Sequence, residues 1–391
     1  MLRPPAALAV LSLALAACDA LLGIEPWASE PEGAGGSAEG GGGATTSSAG
    51  GTATSTGEGG AGCEGGLERC GAECVELDTD SRHCGACDRS CFGGSCSEGA
   101  CGIAELGSEG FVGVAQIAAT VASGQSPGWI VWTAPNGTLR GRPKPDGAPS
   151  TLVTGLNGIR TLDANVGGVV LSDVPDGNGV ARVHRLDPGQ GAPRIVGEGA
   201  AANASSIALD GATVFLSGGA DQASQGVYSL PSNGVAATPA LVCANGANVT
   251  GADLALSASF VYYRRTSGGG NAMVCAKSGG SAAPVNATQV SALATEGALV
   301  YYAVASTIYA RPFPMQGESV HLVSPDPVST LVATATHLAW RSGTKVYLAE
   351  NLQGATPVVV ADEASTVTDV ALDVDGLYWI TNQGLARALA F

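Results

Sequence analysis

The chain has 391 residues, with 18 lysines and arginines against 34 aspartates and glutamates, a net charge of −16, and 58 glycines. A charge of that sign repels phosphate backbones and excludes nucleic-acid binding as a general role. After the first 17 residues no apolar run approaches the ~20 residues needed to cross a bilayer, so no membrane span is expected beyond the N-terminus.

Residues 1–17 carry one early charge, Arg3, followed by an apolar stretch over 6–17. That is the length of a secretory h-region and too short for a transmembrane helix, so the segment reads as an export signal. It ends in Leu15-Ala16-Ala17-Cys18, which resembles the bacterial lipobox, where the signal is cleaved before a cysteine that becomes acylated. The resemblance implies a lipid anchor at Cys18, because several acyl chains on one residue meet the requirement for stable membrane attachment. The expected location is the bacterial cell envelope, on a membrane facing the periplasm or the cell surface.

Residues 18–62 form the acylated N-terminus and a low-complexity stretch. From 28 to 62 there is no aromatic or branched aliphatic residue to bury, so the segment cannot offset its ordering entropy and is expected to be a disordered tether. A Gly/Ser-rich coil of this length reaches roughly 30–35 Å. Gly57 to Gly62 fits G-x-G-x-x-G, but no strand precedes it and no helix follows to hold a pyrophosphate.

At Cys63 the composition changes. Cys63, Cys70, Cys74, Cys84, Cys87, Cys91, Cys96 and Cys101 place eight cysteines within 39 residues, the density of a small module stapled covalently for want of a core. With Cys18 acylated, ten cysteines remain, and Cys243 and Cys275 complete an even set. Cys84-x-x-Cys87 also suits zinc or a redox pair, but an exported chain meets an oxidising compartment and no βαβ pattern surrounds the motif. Disulfides are therefore expected, with no metal and no cofactor. Eight cysteines allow 105 connectivities, and spacing selects none. The run from Cys63 to Cys101, above all residues 75–87, resembles a cysteine-rich module of surface lipoproteins from myxobacteria. His83, inside this run, reads as a loop residue.

All aromatic residues except Trp27 and Phe92 lie beyond Cys101, where one apolar run recurs. The copies are Ile130-Val131-Trp132, Val169-Val170-Leu171, Val214-Phe215-Leu216, Val261-Tyr262-Tyr263, Val300-Tyr301-Tyr302, Leu338-Ala339-Trp340 and Leu377-Tyr378-Trp379, with third positions 39, 45, 47, 39, 38 and 39 residues apart. Each copy has one strand-like segment upstream and two downstream, separated by Gly, Asp or Pro turns, and helical periodicity is missing. Four short strands at a fixed period make the blade of a β-propeller. The predicted fold is all-β, a seven-bladed β-propeller over 102–391. Trp132-Thr133 and Tyr378-Trp379-Ile380-Thr381-Asn382 resemble the blade strand of propellers in the YWTD and NHL families, although Leu171, Leu216, Arg264 and Arg341 depart from that pattern.

The seventh repeat supplies three strands, and an open edge there is a liability. Residues 103 to about 106 are expected to add the fourth and close the ring. Cys243 and Cys275 fall on neighbouring blades and are expected to form a bridge.

Chemistry-bearing patterns in the repeat region are sparse. Gly124-Gln125-Ser126-Pro127-Gly128 fits G-x-S-x-G, but a strand rather than a helix follows, so Ser126 reads as a turn residue. His184, His321 and His337 lie on different blades with no ligand spacing. Asp373-Val374-Asp375-Gly376 lacks the remaining ligands of a calcium loop and reads as a turn. Asp163, Asp210 and Asp373 close the upstream strands of three repeats, where a ring of acids at one rim would serve a channel enzyme and isolated turn formers would not. Trp132, Tyr263, Tyr302, Trp340 and Trp379 recur with the repeat and are expected to pack between blades. No catalytic residue is assigned. The reading is a non-catalytic, membrane-anchored display protein with a protein or glycan partner, and the alternative is a propeller-channel enzyme of lyase or lactonase type.

Overall fold

The structure, a computed structural model, describes residues 63–110, 115–123, 127–166, 168–218, 226–244, 251–265, 270–285, 289–313 and 317–391. The export signal, Cys18, the 28–62 segment and Ser126 lie outside the described residues. Among the described residues no helix is long and apolar enough to cross a membrane, and the only helical element is a 3-10 turn at Ala200–Ala202.

The described residues, all within one compact unit, form an all-β, seven-bladed propeller carrying the cysteine module. Each blade is built on four antiparallel strands, in sequence order except in blade 7, whose fourth strand comes from the N-terminal end of the domain, and with a short fifth strand added in parallel to blade 3. Blade 2 illustrates the pattern with Ile159–Asn165, Gly168–Asp173, Arg182–Leu186 and Arg194–Glu198. The innermost strands of the other blades are Ile117–Thr120, Ser206–Asp210, Gly251–Leu256, Ala292–Glu296, Thr330–Ala333 and Val367–Leu372.

The recurring apolar run is the second strand of each blade because both of its faces are covered. Trp132, Tyr263, Tyr302, Trp340 and Trp379 are all fully buried. The core consists of layers between adjacent sheets: Trp379, Leu377 and Val370 of blade 7 pack on Ala339 and Val346 of blade 6. Two of the buried indoles keep polar partners. Trp340 Nε1 donates to Ser324 Oγ at 2.9 Å, and Trp379 Nε1 donates to Glu363 Oε1 at 2.6 Å.

Six blades repeat one irregularity, a register shift near the start of the pairing between third and outermost strands. Blade 4 departs from it. Its outermost strand shrinks to Ala283–Pro284, and Gly280–Ser281 pairs in parallel with the outer strand Ala240–Ala244 of blade 3. Cys243 and Cys275 are joined there, with Cα atoms 6.4 Å apart.

Ring closure runs through the N-terminal strand. Ala104–Ser108 pairs antiparallel with Leu385–Ala390, Arg387 facing Glu105 and Leu385 facing Ser108. The strand starts one residue later and ends two later than the expected 103–106, because pairing continues until Leu385 runs out.

The cysteine module has two small ribbons, Glu68–Cys70 with Glu73–Val75 and Cys96–Ser97 with Ala100–Cys101. Its bridges join Cys63 to Cys74, Cys70 to Cys87, Cys84 to Cys96 and Cys91 to Cys101. The two halves of Cys84-x-x-Cys87 therefore serve different bridges. The sulfurs of Cys84, Cys91 and Cys101 lie within 4.8 Å of one another because two bridges stack, not as a set of free thiolates. The module packs on blades 7 and 1. Phe92 is buried with its ring edge-on to Tyr378 at 5.6 Å, and Ser90 Oγ donates to the Asp146 carboxylate at 2.7 Å.

Candidate functional site

The seven innermost strands surround an axial channel with a cavity volume of about 380 Å³, at the small end of ligand-site dimensions. Three carboxylates and one guanidinium mark its wall: Asp163, Asp253, Asp369 and Arg341. The inner strands that carry the acids, in blades 2, 4 and 7, are each bulged. An extra residue re-aims the side chains that follow it. Asp253 is itself the extra residue between Ala252 and Leu254, and it holds the left-handed φ of 50°, a conformation Asp tolerates better than most side chains. Asp369 directly follows the extra residue Thr368.

Each acid has a defined job. Asp163 Oδ2 accepts the Leu209 amide of blade 3 at 2.7 Å. Asp369 Oδ2 accepts the Ile117 amide of blade 1 at 3.1 Å, and its Oδ1 accepts the Val370 amide at 3.0 Å. Ser206 Oγ does the same between blades 3 and 4, accepting from Leu254 N at 3.0 Å. Polar side chains on the innermost strands thus stitch one blade to the backbone of the next. Asp253 Oδ2 accepts from Arg264 Nε at 2.7 Å.

Burial dominates the electrostatics. It pushes Asp163 up to about 6 against the pull of the Leu209 and Ala164 amides. Burial likewise raises Asp369 to about 7; the Ile117 and Val370 amides and Arg341 oppose the shift, and Asp253 adds to it. Arg341 donates from Nε to Thr330 Oγ1 at 2.8 Å and from Nη1 to the Val367 carbonyl at 3.0 Å. Desolvation lowers its pKa, while Asp369 and Asp253 support the charge. Both carboxylates therefore take up protons above the usual carboxylate range, and the channel loses negative charge as the medium turns acidic.

Asp163, Asp210 and Asp373, read from the sequence as turn formers with an acid ring as the alternative, do not form a ring. Asp163 lies inside its strand, two residues short of the end, and faces the channel. Asp210 ends its strand and pairs with Lys277 Nζ at 2.6 Å. Asp373 is buried at the seam between blades 7 and 1, paired with Lys144, whose Nζ also meets Asp375 at 2.9 Å. The same carboxylate accepts the Tyr378 hydroxyl at 3.1 Å and the Asp375 and Gly376 amides at 2.9 and 3.2 Å. Asp373 to Gly376 is a turn, anchored by a lysine more than 200 residues away in sequence.

The histidines are dispersed. His184 Nε2 lies 3.2 Å from Asp173 Oδ2, both buried. His321 packs edge-on to Tyr301, and His337 stacks on Phe391 at 4.5 Å. His83 stands in a loop and accepts the Asp88 amide at 3.0 Å. Sequence reasoning missed Asp253, Asp369, Arg341 and Lys144 as linked groups. The available signal was an acid inside a short apolar strand, as in Thr368-Asp369-Val370, where a solvated strand end was not the explanation.

No protein-family profile matches the chain, and no curated protein does. Among solved structures, the WD40 β-propeller domain of Doa1 aligns with a TM-score of 0.54 at 10% identity, over 73% of this chain and 95% of that one. A computationally designed protein, Ika8, aligns with a TM-score of 0.49 at 13% identity, over 73% of this chain and 98% of that one. The Doa1 likeness shows the propeller fold.

Proposed function

We propose that this chain is a lipid-anchored envelope protein whose propeller is a non-catalytic binding platform for a protein or glycan partner. One observation carries the non-catalytic half of the reading. The channel carboxylates of Asp163 and Asp369 are both committed to backbone amides of the next blade, so they hold the ring together rather than stand free as an acid and base pair. The anchor rests on the sequence Leu15-Ala16-Ala17-Cys18 at the end of an apolar leader. The likeness of residues 63–101 to a myxobacterial surface-lipoprotein module, and of the blade strands to YWTD and NHL propellers, supports the same setting.

The alternative, a channel enzyme of lyase or lactonase type, draws on Asp369, raised to about 7 by burial against the opposing pull of Arg341. Two measurements on the full chain decide between the readings. Cys18→Ser is expected to move the protein from the membrane to the soluble fraction, and recovery with membranes after a carbonate wash refutes the anchor. Calcium or manganese is expected to leave the melting temperature unchanged, and a shift of many degrees favours the channel enzyme.

A further inference from the structure

Blade 7 is completed by a strand from the opposite end of the domain, and the cysteine module sits directly on that seam. Cys101 precedes the closing strand Ala104–Ser108 by three residues. Its partner Cys91 adjoins Phe92, which is buried against Tyr378 and lies close to Gly376, where an added Cβ would meet the ring at 3.0 Å. Phe92 belongs to the same core group as Ala104, Leu106, Trp132 and Tyr378. The Gly102 amide also donates to the Ser95 carbonyl at 2.8 Å. The bridge holds the Cα atoms of Cys91 and Cys101 5.2 Å apart, so while it is intact the start of the closing strand is tethered within three residues of the Phe92 seat. Once it is broken that tether is lost, and the local concentration of the strand at its edge falls.

We propose that the Cys91–Cys101 bridge is a thiol-sensitive latch on ring closure: a dithiol that reduces it frees the closing strand from blade 7 while blades 5 and 6 stay folded. Cys101 is the accessible end, since it is partly exposed whereas Cys91 is buried. A thiolate of the dithiol attacks Cys101 Sγ, the Sγ–Sγ bond breaks and Cys91 leaves as a thiolate that takes up a proton. The second thiol of the reagent then displaces Cys101, so the reagent ends as a disulfide and the protein gains two electrons and two protons. The latch ties a closed propeller to an oxidising compartment, whatever the ligand and whether or not Cys18 is acylated.

Hydrogen exchange on the purified full chain, with and without dithiothreitol, tests this. Amides of 104–108 and 385–390 are expected to exchange at least ~10-fold faster after reduction, with blade 6, which holds no cysteine, unchanged. C91S/C101S is expected to show the faster exchange without reductant, and C63S/C74S to behave like the parent. An unchanged ladder after reduction, or equal acceleration in blade 6, overturns the latch. Should C91S/C101S fail to fold, the parent protein reduced after folding and alkylated carries the same test: Cys91 and Cys101 both alkylated with the ladder still protected is the overturning result.

Discussion

The Asp369 carboxylate accepts the Ile117 amide at 3.1 Å, joining the last blade to the first across the channel wall. The same carboxylate faces Arg341 and Asp253 and is raised to about 7 mainly by burial. One side chain therefore contributes to ring closure and to the charge of the channel.

A pH dependence follows. Burial makes Asp369 and Asp163 bind protons more tightly in the folded chain than an ordinary aspartate does. Between pH 4 and 7 the folded state then holds more protons than the unfolded one, so their contribution to stability is greatest in acid and is lost as pH rises to about 7. His321, whose pKa burial lowers, acts in the opposite sense below about pH 6.5. The difference between the parent and Asp369→Asn isolates Asp369. The parent's melting temperature is expected to fall by roughly 3–6 °C more than the variant's between pH 4.5 and 7.5, and parallel curves in differential scanning calorimetry would refute the shift.

The side chains of Lys144 and Asp373 are each only 5% exposed, so removing Lys144 leaves the Asp373 carboxylate buried without a counter-ion. Lys144→Met is expected to cost roughly 2–4 kcal/mol in urea denaturation. Lys144→Met with Asp373→Asn is expected to recover much of that loss, and a double variant as unstable as the sum of the singles shows that the pair is not coupled.

Deleting 104–108 removes the fourth strand of blade 7 and exposes the Leu385–Ala390 edge. The melting temperature is expected to fall by more than about 10 °C, while deleting five residues within 28–62 leaves it unchanged. Equal effects of the two deletions count against the closure.

Trp379 donates to Glu363, which is buried and also meets Arg387 at 3.4 Å. Trp379→Phe removes a donor and ring volume together and is expected to cost roughly 2–4 kcal/mol. Glu363→Gln in the Trp379→Phe background is expected to return part of it, because the carboxylate is then no longer charged. A further loss would show that Arg387, not Trp379, satisfies Glu363.

Blade number, the strand that carries each aromatic and the need for a closing segment were all legible in the chain. They depend on local patterns: the run ending in Trp132, Trp340 or Trp379 recurs at a near-constant spacing, and a three-strand seventh repeat leaves an edge that must be paired. The channel was only partly legible. Asp163 was singled out as a strand end, yet it lies within its strand, and Asp253 and Asp369 acquire their directions from bulges that no residue pattern announces. The four bridges among Cys63 to Cys101, the seating of Phe92 on Tyr378 and the pairing of Lys144 with Asp373 depend on which distant segments meet. The repeat follows from local residue patterns, because burial on both faces of a strand demands an apolar run at each turn of the ring. The channel charges and the seam follow from folding, because closing the ring brings residues more than 200 positions apart into contact and takes their charged groups out of water.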